Sequence, residues 1–152
     1  MTEKFSYRFN NILKIKEKIE EDKKHIFASE QKRLEIEKKS LETLFIKREN
    51  TIDKWNKTIN NDNIVKISAL QRASADIDYL KKALTEQKTR VEKRQEKLNE
   101  SRKELIEAKK QTKIFEKLKE KDYEVFKILQ SKNEAALIDQ LVTYKSTVNK
   151  GG

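Results

Sequence analysis

Apolar residues recur along this chain at alternating steps of three and four. That spacing places them on one stripe of an α-helix and suits the stripe to packing against a second helix. The second half shows it most cleanly, through Leu70, Ala73, Ile77, Leu80, Leu84, Gln87, Val91, Arg94, Leu98, Ser101, Leu105, Ala108, Thr112 and Phe115. The first half gives two runs. One is Phe5, Phe9, Ile12, Lys16, Ile19, Lys23 and Ile26; the other is Leu34, Lys38, Leu41, Phe45, Arg48, Ile52, Trp55 and Ile59. The phase slips by one residue near Ile26 and Phe27, which predicts a local relaxation of the supercoil.

One break interrupts the pattern, Asn60-Asn61-Asp62-Asn63. Asn and Asp tolerate the left-handed backbone region and hydrogen-bond their own main chain, so they end helices and make turns. The pattern predicts helix 1 over about 3–59, a turn at 60–63 and helix 2 over about 64–147, all within one domain spanning 1–152. A short connection makes the two helices antiparallel neighbours. Facing residues of an antiparallel pair have numbers that add to a constant. Trp55 with Leu70, Ile52 with Ala73, Phe45 with Leu80, Leu41 with Leu84, Leu34 with Val91 and Phe27 with Leu98 all give 125. Ile19 with Leu105, Ile12 with Thr112 and Phe9 with Phe115 give 124. The expected fold class is therefore all-α, a long antiparallel two-helix coiled-coil hairpin.

In that register Phe5 faces Lys119 or Glu120, and helix 2 extends beyond helix 1 by about 25 residues, roughly 40 Å. A merely solvated extension would be polar. Instead residues 115–144 hold 14 apolar residues, against 6 in 85–114. The stretch 64–84 at the turn end holds 12. Phe126, Leu129, Leu137, Leu141 and Tyr144 have no partner within the hairpin in this register. Surplus apolar surface at both ends marks contact sites for other proteins, so the pattern reads as a two-ended connector.

Composition sharpens this picture. The chain has no Pro and no Cys, and its only two Gly are Gly151 and Gly152. Charged residues make up 41% and apolar residues 35%, a balance typical of a long helix or coiled coil. Without Cys there is no disulfide, thiol nucleophile or zinc–thiolate site. No apolar run approaches a membrane span, and the N-terminus lacks the features of a secretory signal, so a soluble intracellular protein is expected. The net charge of +10 comes from 36 basic residues interleaved with 26 acidic ones. That interleaving describes a solvated helix surface better than a nucleic-acid face, which would segregate basic residues beside stacking aromatics.

Candidates for chemistry are few. His25 is the single His, and one His does not make a metal site. Carboxylate neighbours such as Glu20 and Glu21, or Glu120 and Asp122, lack the desolvating cleft that tunes a general acid or base. A phosphate-cradling loop needs internal glycines, and there are none. The expected protein is not an enzyme and uses no cofactor or metal.

Two segments resemble the flagellar FliJ family. The opening Phe5-Ser6-Tyr7-Arg8-Phe9-Asn10-Asn11-Ile12-Leu13-Lys14-Ile15-Lys16-Glu17 is similar to that family's aromatic start followed by an aliphatic pair and Lys-Glu. The later Lys113-Ile114-Phe115-Glu116-Lys117-Leu118-Lys119-Glu120-Lys121 is similar to a mixed basic–acidic stretch around an aromatic residue late in the family. The resemblance spans nearly the whole chain. It implies a stalk and adaptor of the bacterial flagellar type III export apparatus, a cytoplasmic protein peripherally associated with the inner-membrane export machinery. Its implied partners are the hexameric export ATPase, the cytoplasmic domain of the export gate, and export chaperones. Neither nucleic acid nor membrane insertion is implied, and the chain alone is expected to be monomeric. The equivalent stalk of a virulence type III secretion system, or a generic coiled-coil scaffold, is the alternative.

Site residues follow from the same resemblance together with the apolar ends. The ATPase-binding set is Phe5, Tyr7, Phe9, Phe115, Leu118, Tyr123, Phe126, Leu129, Leu137 and Leu141. The gate-binding tip is Leu44, Leu80, Ala83 and Gln87. At the tip the family pattern is only partly kept. Leu80, Ala83 and Leu44 match it, whereas Asp76, Gln87, Ser40, Lys47 and Thr51 depart from it.

Overall fold

The computed structural model describes residues 4–61 and 67–150, the side chain of Lys150 excepted. Its two elements are α1 (Asn10–Asn61) and α2 (Ile67–Lys150). The fold is all-α. Two long helices pack against each other, and α2, with 84 residues, outruns α1, with 52. Asn60 and Asn61, expected in the turn, are instead the last residues of α1. The remainder of the expected turn, Asp62 and Asn63, lies outside the described residues, as does the expected start of helix 2 at 64. The chain divides into two compact units. One is Asp22–Ile106; the other joins the stretch up to Glu21 with the stretch from Glu107 onward.

In the unit Asp22–Ile106, α2 buries Ala73, Leu80, Leu84, Gln87, Leu98, Ser101 and Leu105. All seven belong to the stripe read from the sequence. Across from them, α1 turns inward Lys23, Phe27, Glu30, Leu34, Glu37, Leu41, Leu44 and Arg48. Those positions keep unbroken steps of four and three, so the phase slip expected near Ile26 is absent. Ile26 is exposed and Phe27 takes the inward place. The sequence misleads here because half of the seam on α1 is charged while strong apolar residues sit one position away from it.

Several charged seam positions find partners, although the buried Arg48 Nε has no hydrogen bond to a described residue. The Gln87 amide donates to the Glu37 carbonyl at 3.0 Å and also to the Glu37 carboxylate. The Lys23 ammonium meets Glu104 at 3.0 Å, and Arg94 lies 3.8 Å from Glu30. The Arg102 guanidinium sits over the face of Phe27, 5.6 Å from the ring centre. These pairs join low-numbered residues of α1 to high-numbered residues of α2, as an antiparallel pair requires. Their numbers add to between 124 and 129, within about one helical turn of the register read from the sequence.

In the other unit the stripe continues on α2 as Ala108 and Thr112, both buried. The Thr112 hydroxyl donates to the Lys16 carbonyl at 3.2 Å. On α1 the inward positions are Leu13, Lys16 and Glu20. Leu13 is 4% exposed, whereas Ile12, expected on the stripe, is 39% exposed and Ile19 is 40% exposed. Here too the stripe lies one residue from the place suggested by the isoleucines.

Candidate functional site

Helix 1 was expected from about residue 3, yet α1 begins at Asn10. Residues 4–7 have no regular secondary structure, and Arg8 and Phe9 form a turn. The Asn10 amide donates to the Tyr7 carbonyl at 3.2 Å, and the Leu13 amide gives Phe9 the first helical bond at 2.9 Å. The cause lies in the residue alternation. On a helix Phe5 and Phe9 share a face, but Tyr7 stands about 200° away and would face water. In an extended strap, alternate residues share a side. Phe5, Tyr7 and Phe9 then all reach α2, while Ser6 and Arg8 point outward and are exposed.

Four aromatic contacts hold the strap. Phe5 lies 5.1 Å from Tyr123 and 5.5 Å from Phe126 between ring centres. Tyr7 lies 5.9 Å from Phe9, and Phe9 lies 6.3 Å from Phe115. These fall within the range of favourable edge-to-face and tilted pairs. The buried Tyr7 hydroxyl donates to the Phe115 carbonyl at 2.9 Å. Burial pushes the Tyr7 phenol above its ordinary pKa, and the charge of Asp122 pushes it the same way. At the edges, Arg8 covers the Phe9 ring at 5.2 Å and Lys127 covers the Tyr123 ring at 4.6 Å.

The strap corrects the expectation that Phe5 faces Lys119 or Glu120 and that Phe126 has no partner. Extended chain advances roughly 3.3 Å per residue against 1.5 Å in a helix. Over the four residues from Phe9 to Phe5 that adds about 7 Å, or between four and five residues of α2. Phe5 therefore reaches Tyr123 and Phe126. The signal for the strap in the sequence is the period-two spacing of Phe5, Tyr7 and Phe9, which competes with the helical spacing of Phe5, Phe9 and Ile12.

Past the strap, α2 stays helical and every described side chain from Ser131 to Asn149 is exposed. At 100° per residue, Leu118, Val125 and Leu129 lie on one side of the helix. Phe126, Leu137, Leu141 and Tyr144 lie on a second side, and Ile128, Ile138 and Val142 on a third. Leu137 is 61% exposed and Tyr144 is 68% exposed. A helix that is apolar on all sides is characteristic of burial, and nothing within its own unit supplies that burial.

Of the ten residues expected to bind the ATPase, six form the strap cluster: Phe5, Tyr7, Phe9, Phe115, Tyr123 and Phe126. Leu118, Leu129, Leu137 and Leu141 are exposed. At the expected tip, Leu80 and Gln87 are buried in the seam, and Gln87 spends its amide on Glu37. Leu44 and Ala83 are half-buried. Neighbouring exposed residues missed by the sequence reading are Phe45, Ile46 and Tyr79. His25 is exposed on α1. Among the described residues no group of His, Asp and Glu is placed to hold a metal, and no helix is long and apolar enough to cross a membrane.

The helix pair, its strap and its apolar extension define an all-α protein of two long packed helices. The family model described as flagellar FliJ protein matches residues 5–151. The chain belongs to the FliJ family, and at that level it is a component of flagellar protein export. No curated protein and no solved structure matches it.

Proposed function

We propose that this protein is the stalk and adaptor of the flagellar export ATPase. Its α2 extension seats in the ATPase hexamer, its turn end reaches the export gate, and it handles export chaperones. It works without catalysis, as a positional element at the cytoplasmic side of the export apparatus. One observation carries the reading: the apolar residues of 129–148 occupy every side of the helix yet are exposed. Apolar surface left in water costs about 25 cal/mol per Å², and a surrounding protein lumen covers all sides of a helix where a single flat partner covers one.

The test is an ATPase assay with the cognate export ATPase. Replacing Leu129, Leu137 and Leu141 together by Ala should lower stimulation at least tenfold and leave the circular dichroism spectrum unchanged. Full stimulation by that variant overturns the assignment of the extension. Phe126 is a poorer probe, since its ring also packs on Phe5 within the protein.

A further inference from the structure

At about 100° per residue, Phe115, Tyr123, Phe126, Leu137, Leu141, Tyr144 and Val148 fall within an arc of roughly 80° on α2. They form one side of that helix, interrupted by Lys119, Gln130 and Asn133. The side has two halves. The strap packs on the first, where Phe9 meets Phe115 and Phe5 meets Tyr123 and Phe126. In the second half Leu137, Leu141, Tyr144 and Val148 are all exposed. The strap therefore closes the start of an apolar side and leaves the rest of it open.

Side chains alone hold the strap to α2. Its main-chain bonds run only within the strap and into α1, from the Asn10 amide to the Tyr7 carbonyl and from the Leu13 amide to the Phe9 carbonyl. Among the described residues its one hydrogen bond to α2 is that of the Tyr7 hydroxyl to the Phe115 carbonyl. Lys4, Ser6 and Arg8, between the rings, are exposed. The start of α1 takes no side-chain cap from the strap either. Phe9 stands at the cap position with a ring that accepts no amide bond, and the first turn of α1 has no acidic residue. Lifting the strap thus breaks no main-chain bond to α2 and removes no side-chain cap from α1. An end segment held in this way opens at a free energy far below that of global unfolding.

We propose that the strap is a displaceable cover, and that the partner seated along 137–148 extends beneath it to Phe126 and Tyr123. This rests on the reading of the extension as the segment that binds the export ATPase. Continuity of the side carries the argument. A partner surface that follows Val148, Tyr144, Leu141 and Leu137 along α2 next meets Phe126 and Tyr123, and Phe5 lies on both. Strap and partner then compete for the same two rings. A closed strap lowers the binding-competent fraction of the protein and weakens apparent affinity by that fraction. In the free protein it also shields the rings from water.

The experiment measures the affinity of the full chain for the cognate export ATPase. The protein has no Cys, so Phe5→Cys with Phe126→Cys carries the only two thiols. Joined by a short bismaleimide, that variant should bind at least tenfold more weakly than the same variant capped with N-ethylmaleimide. Phe5→Ala with Tyr7→Ala, which frees the strap, should bind at least threefold more tightly than wild type at an unchanged circular dichroism spectrum. Equal affinity of the joined and capped forms overturns the proposal, because the partner then stops short of the strap. Weaker binding by the freed variant also overturns it and makes the strap part of the contact. One measurement needs no partner. Maleimide labelling of Phe126→Cys should run several-fold faster when Phe5 and Tyr7 are also Ala, and equal rates overturn the cover. Replacing Leu129, Leu137 and Leu141 together by Ala separates the two readings. Full binding by that variant overturns the assignment of the extension, and this proposal with it. Binding lost in that variant, with joined and capped forms equal, overturns the cover alone.

Discussion

Two stretches of α2 have similar helical backbones and opposite uses of their side chains. Between Ala73 and Leu105 the inward residues follow steps of three and four, and the exposed residues are polar apart from Ala75 and Tyr79. Between Leu129 and Val148 apolar residues occupy all sides and are exposed. A single stripe records one neighbour, and α1 is that neighbour. Apolar residues on all sides record a surrounding that the described residues do not supply. Hydrophobic content alone does not distinguish an intramolecular seam from a contact site; its angular spread does.

The contrast can be broken most directly by truncation at matched positions. Leu98→Ala, in the seam, should cost about 2–4 kcal/mol in urea unfolding, as for other buried leucines. Leu137→Ala, in the extension, should stay within about 0.5 kcal/mol. Equal losses would mean that the extension is packed in the free protein. A second pair sharpens the placement of the α1 stripe. Leu13→Ala should cost about 2–3 kcal/mol and Ile12→Ala less than about 1 kcal/mol. The reverse order would restore the stripe suggested by the isoleucines.

A smaller effect is expected at the polar seam. Gln87→Ala removes the amide that serves Glu37 and should destabilise by about 1 kcal/mol. Gln87→Leu should be near neutral in stability, because an apolar residue of similar size replaces a desolvated polar one. The smallest effect is local to the strap. Its protonated Tyr7 is favoured in the folded state, so that contribution is complete below the ordinary tyrosine pKa near 10 and is lost as pH rises through the raised folded value. Amide exchange of residues 4–12 should accelerate above pH 10 in the wild type. In Tyr7→Phe it should be several-fold faster already at neutral pH and show no such alkaline step.

The helical fold, the antiparallel pairing and the α2 stripe were legible in the sequence because small and apolar residues hold that stripe. From Ala73 to Thr112 the inward set and the expected set coincide at every buried position of α2. The α1 stripe was legible only in part: Lys16, Lys23, Leu34, Leu41 and Arg48 lie inward as expected, whereas Lys38 and Phe45, also expected there, are exposed. Lys16, Glu20, Lys23, Glu30 and Glu37 occupy it, and their aliphatic stems cover the seam while their charged ends reach partners or water. Hydrophobicity therefore pointed to Ile12, Ile19 and Ile26 one position away.

The candidate site was half legible. The surplus of apolar residues in 115–144 was plain from composition, whereas the reach of Phe5 to Tyr123 and Phe126 depended on a change of backbone that aromatic spacing encodes in two ways. Phe5, Tyr7 and Phe9 satisfy a strand period, and Phe5, Phe9 and Ile12 satisfy a helical one. What decided between them was a buried place for Tyr7 against Phe115, a contact more than a hundred residues away in sequence.

The strap also sets which changes of length the N-terminal region tolerates. Removing one residue from α1 turns everything before it by about 100° relative to the rest of the helix, which carries the preceding inward side chains off the seam. Removing two residues from an extended strap keeps every remaining side chain on its own side and only shortens the reach by about 7 Å. Insertions and deletions should therefore accumulate in steps of two before Asn10 and in whole heptads after it. Two rulers of different unit length meet at a single residue.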